Sequence, residues 1–143
     1  MEYKLTNKDY YKFIIDTSDA TITNNSTEFT FKNMLPINIK TESYLKVTAI
    51  SSTISNDNVY IVRLKSGIEY NKTKYFDTGK GAPVLVVRCF NGKSSLNLSS
   101  DGIIITPQVI TDLVLEIKDT TGTGLTTTGQ KMIIEMIIEE KEN

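Results

Sequence analysis

Leu113-Val-Leu-Glu-Ile-Lys-Asp and, after a Thr/Gly-rich stretch, Met132-Ile-Ile-Glu-Met-Ile-Ile-Glu decide the fold class. In the first run Leu113, Leu115 and Ile117 alternate with Val114, Glu116 and Lys118. Successive side chains of a strand point to opposite faces, so such a run buries one face and wets the other. On this reading Glu116 lies on the solvent face, where a charge reversal is nearly neutral. The second run admits a helix, because Glu135 and Glu139 stand four apart. Its density of β-branched Ile favours a strand instead, with Met132, Ile134, Met136 and Ile138 on one face.

The same period of two recurs outward from this pair. Tyr11, Phe13 and Ile15 share a face, as do Phe29 and Phe31. Leu45, Val47 and Ala49 form another set, and Tyr60, Val62 and Leu64 a fourth. The runs 84–89 and 103–105 are nearly continuous apolar and read as central strands with both faces covered. Turn-forming segments separate the runs. Asn91-Gly92 and Asp101-Gly102 are tight-turn pairs, and Pro36, Pro83 and Pro107 fall at segment borders. Only residues 33–40 leave room for a short helical piece.

The expected architecture is all-β: a single eight-stranded jelly-roll sandwich, residues 11–143, preceded by a short N-terminal arm, residues 1–10. The strands, lettered in order, are B 11–16, C 28–32, D 44–54, E 59–64, F 84–90, G 96–105, H 109–118 and I 131–139. The segment 119–130 reads as the loop of a closing hairpin. An immunoglobulin-like sandwich is the competing arrangement, but the chain lacks its Cys…Trp…Cys signature. In a jelly roll the loops 17–27, 55–58, 91–95 and 119–130 gather at one polar end. The other end carries apolar residues within 33–42 and 65–83. Its Ile68, Tyr70, Tyr75 and Phe76 are candidates for protein contacts; alternatively they fold back to plug the sandwich. Tyr3, Leu5 and Tyr10 of the arm are further interface candidates, since Tyr3 and Leu5 alternate with Glu2, Lys4 and Thr6.

Composition narrows the chemistry. The chain has 143 residues, room for one ordinary domain, and carries 16 Lys+Arg against 17 Asp+Glu. That balance offers no basic grip on nucleic acid. There is no His, which removes the commonest general base and metal ligand. The single cysteine, Cys89, sits in an apolar run and reads as a small core residue. The first residues are polar and unlike a signal peptide, and no apolar run approaches a membrane span. Asn25, Asn71 and Asn97 start sequons that carry little weight in a chain so rich in Asn, Ser and Thr. Gly92-Lys93-Ser94 ends like a phosphate-binding loop, but Val87 stands where that motif needs glycine and no helix follows. Five aspartates, Asp57, Asp77, Asp101, Asp112 and Asp119, lie near turns without calcium-loop spacing. No catalytic, cofactor-binding or metal residue is singled out, and no cofactor is expected.

The size, the arm, Tyr11-Lys-Phe-Ile-Ile-Asp and the two closing runs resemble the single jelly-roll proteins that accompany double jelly-roll major capsid proteins. These are the penton and minor capsid proteins of large nucleocytoplasmic DNA viruses, virophages and tail-less phages. The resemblance covers roughly residues 10–140 and implies a non-enzymatic structural subunit of the virion, assembled inside the host cell. A penton subunit would close into a homo-oligomeric ring of five. A minor protein would bridge capsomers of the major capsid protein. Two other classes remain: a receptor- or glycan-binding head of a viral fibre or spike, and a cupin-like enzyme, which the absence of His disfavours.

Overall fold

A computed structural model describes residues 10–23, 27–32, 36–54, 57–71, 82–90, 93–97, 102–125 and 130–141. Among them the chain is all-β. Its strands are β1 Tyr10–Asp16, β2 Thr21–Thr23, β3 Glu28–Phe31, β4 Ile37–Ile39, β5 Ser43–Ser52 and β6 Asn58–Ser66. They continue with β7 Ala82–Phe90, β8 Lys93–Asn97, β9 Ile103–Ile105, β10 Gln108–Ile110, β11 Leu113–Asp119 and β12 Met132–Glu140. One sheet runs β1-β12-β5-β9, a second β2-β3-β11-β6-β7-β8, and β10 and β4 form a two-stranded ribbon. Every ladder is antiparallel.

The core lies between the two larger sheets. Met132, Ile134, Met136 and Ile138 of β12 are buried, and so are Leu113, Leu115 and Ile117 of β11. Phe29, Tyr60, Val62 and Leu64 join them in one cluster. Each such side chain contributes about 1.5–3 kcal/mol by leaving water. The alternation read from the sequence is therefore the burial pattern at these strands, and the last run is a strand. Cys89 is buried as expected, and the Ser52 hydroxyl donates to its Sγ at 3.6 Å.

Several expectations are corrected. The eight strands become twelve segments among the described residues. The expected strand G divides into β8 and β9, which lie in different sheets. The chain enters β9 through buried Gly102 at φ +73°, where an added Cβ would meet the Leu45 carbonyl oxygen at 2.8 Å. Only glycine fits so close an approach. The expected strand H divides into β10 and β11 at residues 111–112. There the Asp112 carbonyl oxygen would lie 2.1 Å from a Cβ on Gly67 (φ +99°). Where a helical piece was allowed, β4 forms.

The closing pair is not a hairpin. β11 pairs with β3 and β6, whereas β12 pairs with β1 and β5, so the 119–130 connection crosses from one sheet to the other. From that connection Leu125 tucks into the core. A register shift opposite Glu135/Met136 breaks the β5 alternation. Ala49 is consequently exposed, while Ser52 and Ile54 turn inward. Of the two apolar runs, β7 is a central strand between β6 and β8 whereas β9 is not central. In β7 Val87 and Cys89 are buried but Arg88 is exposed, and β9 is the last strand of its sheet.

Glu116 is the other correction. It is only 7% exposed. Its carboxylate lies 3.7 Å from Arg63 Nη1, 3.7 Å from Lys65 Nζ and 3.5 Å from Lys118 Nζ. Three neighbouring cations cover the outward face of β11 at this point. Leu115→Asp should abolish the cooperative melt, because it places an unpaired charge in the core. Glu116→Lys should cost on the order of 2 kcal/mol, since it crowds a fourth cation into a buried site. Chemical denaturation of both variants checks this. A Glu116→Lys midpoint equal to the parent would contradict the packing described for β11.

Candidate interaction surface

Among the described residues no group of three or more metal-ligating side chains comes together. Among the described residues no helix is long and apolar enough to cross a membrane. The described tyrosines serve separate elements. Tyr60 is buried, Tyr70 packs against the core, and Lys46 Nζ sits 5.5 Å from the centre of the Tyr44 ring. The Tyr11 hydroxyl donates to the Asn38 carbonyl at 3.0 Å. What remains is surface, and two parts of it have built geometry.

The first is a groove beside β1. One wall is the strand itself, including Tyr11, Phe13 and Ile15. The other is Phe31, Pro36 and Ile37, where the chain passes from β3 to β4. The space between is about 500 Å³ and its lining is mainly apolar. β1 ends its sheet, bonded to β12 on one side. On the outward face of β1 Ile14 is 64% exposed, and on β10 Val109 is 60% exposed. The sequence contains the cause: Ile14 and Ile15 are adjacent apolar residues in one strand, so the pleat must turn one of them outward. The opposite end of this sheet is different. Tyr70 bridges to Ile105, and the Asn71 N–H donates to the Ile104 carbonyl at 2.9 Å. The Gln108 side chain then holds both backbone groups of Glu69, at 2.8 and 2.9 Å.

Of the interface candidates taken from sequence, Tyr10, Ile68 and Tyr70 lie among the described residues. Tyr3, Leu5, Tyr75 and Phe76 lie outside the described residues. Tyr10 opens β1 opposite Glu139. Ile68 is 3% exposed and belongs to the core, and Tyr70 packs against it. These last two follow the infilling alternative. Sequence reading missed the groove because its far wall comes from residues about 20 positions away, brought near only by sheet packing.

The second built feature pins the start of the crossing connection. Asp119 Oδ1 accepts from the Thr121 hydroxyl at 2.7 Å and from the N–H groups of Thr121 and Thr123 at 2.8 and 2.9 Å. Its Oδ2 accepts from Asn58 Nδ2 at 3.0 Å. The Thr121 hydroxyl first, then the Thr123 N–H, the Asn58 amide and the Thr121 N–H, hold the Asp119 carboxyl at about 2, below its ordinary 3.8. The carboxylate ties the end of β11 to the start of β6.

The folded chain thus holds Asp119 ionised more strongly than the unfolded chain does. Its contribution is complete above the unfolded value and is lost as pH falls through the folded one. Asp119→Asn removes the charge and sets an amide N–H against Asn58. The variant should melt below the parent near neutral pH, and the gap should narrow below about pH 4. Melting curves from neutral pH down to pH 3 test this, and a gap independent of pH would contradict it.

Compared with protein-family models and with curated proteins, the chain matches none.

Proposed function

We propose that this chain is a single jelly roll and serves as a structural subunit of an icosahedral virus capsid. Its role is either a vertex (penton) subunit that closes into a ring or a minor protein that bridges major capsomers. The observation that carries the reading is the strand order. With β1, β3, β5, β6, β7, β9, β11 and β12 lettered B to I, the four-stranded sheet runs B-I-D-G. The middle of the six-stranded sheet runs C-H-E-F, with β2 and β8 added at its edges. Two interleaved Greek keys give this order. The connections from β1 to β3, β5 to β6 and β11 to β12 all pass between sheets, which supports the jelly roll over an immunoglobulin-like sandwich.

A fold hosts many activities, so the step from jelly roll to capsid is an analogy carried by the resemblance of the arm, β1 and the closing runs. Surface chemistry supports it. The apolar groove and the exposed Ile14 and Val109 suit protein contacts. A ring requires a heterologous contact, in which two different surfaces of the chain meet.

Native mass measurement of the purified chain across micromolar concentrations tests the proposal. The expected species is a closed ring of five copies of the 16.0 kDa chain, or a complex with trimers of a major capsid protein. A chain that stays monomeric in both settings overturns the capsid reading.

A further inference from the structure

We infer that the outer edge of β1, which bonds to no strand among the described residues, is, with the groove beside it, a strand-docking site for residues 1–9 of a second copy of this chain. This inference concerns self-association and does not depend on the chain being viral.

The two ends of the four-stranded sheet are treated differently by the fold. At the β9 end the chain covers its own edge with Glu69, Tyr70 and Asn71. At the β1 end, among the described residues, the strand bonds to β12 alone. An uncovered edge presents a row of N–H and C=O groups and is a template for another strand. Here that template borders a mainly apolar space of about 500 Å³. Its far wall includes Pro36, which has no backbone N–H and leaves that side to apolar contact. A strand laid along β1 would bond to its backbone and send alternate side chains into the groove. This is recognition by strand addition.

Residues 1–9 match that requirement. Tyr3 and Leu5 stand two apart, with Glu2, Lys4 and Thr6 between them. One face of the extended segment is apolar, and the other carries both charges. The β1 wall also carries both charges, with Lys12 and Asp16.

The donor is another copy for a geometric reason. Tyr10, the first residue of β1, already pairs with Glu139. To return along the outer edge of its own β1, the segment would have to reverse over Asn7-Lys8-Asp9. That stretch lacks the glycine that tight hairpin loops use. Continuing outward, nine extended residues reach about 30 Å, enough to cross a subunit contact. Donor segment and acceptor edge are different surfaces, so the contact is heterologous and propagates until it closes.

The test uses the full chain with Tyr3 replaced by the photo-reactive p-benzoylphenylalanine. Labelled and unlabelled (¹⁵N and ¹⁴N) protein is mixed and irradiated. Cross-linked peptides joining position 3 of one isotope to β1 or to residues 31–37 of the other are expected. Cross-links confined to single-isotope pairs would show the segment docked on its own domain and overturn the inference. So would cross-links that map away from the groove. A double variant, Tyr3→Asp with Leu5→Asp, should leave the melting temperature unchanged and weaken self-association by at least about tenfold. Unchanged association in that variant overturns the inference as well.

Discussion

The rest of the structure depends on the facing of two central strands. β11 lies between β3 and β6, β12 lies between β1 and β5, and the inward stripes of both meet in one core. Because these neighbours in sequence belong to different sheets, the connection between them must cross the sandwich end. The Asp119 clamp fixes where that crossing begins, and Leu125 anchors its course. The Thr17 hydroxyl, accepting from the Met132 N–H at 3.0 Å, ties the far side of the crossing to the turn that follows β1. The described side chains leave no buried polar atom without a partner. The core is closed in polar terms as well as apolar ones.

Once β11 and β12 are central, β1 is driven to the end of its sheet. That position explains its graded burial, from buried Ile15 through half-buried Phe13 to exposed Tyr11. The strand is inside the sandwich at one end and outside at the other. The groove is the space between this strand and Phe31, Pro36 and Ile37. The groove follows from the same constraint that builds the core.

Much of this was legible in the sequence because burial writes a period of two. The inward sets on β6, β11 and β12 were read residue by residue, as was the buried thiol of Cys89. What the period cannot carry is partnership. Leu113 and Met132 read as two arms of one hairpin, since alternation is the same whether two strands pair or face each other. The bulge in β5 turned Ala49 outward without any mark in composition. Glu116 read as solvated because its three cations come from both β6 and β11 and meet it only in the folded sheet. The β1 groove was invisible for a similar reason. Ile14 beside Ile15 hinted at an exposed apolar side chain, but Phe31, Pro36 and Ile37 gave no sign that they would stand opposite.

Nuclear Overhauser contacts between backbone protons in a uniformly labelled sample test the facing of β11 and β12 most directly. The account expects interstrand contacts from Met136 to Phe13 and Val47, and from Leu115 to Phe29 and Leu64. It expects no backbone ladder between β11 and β12. A continuous ladder joining those two strands would make them a hairpin, place both in one sheet, and contradict the architecture from which the groove and the proposed assembly follow.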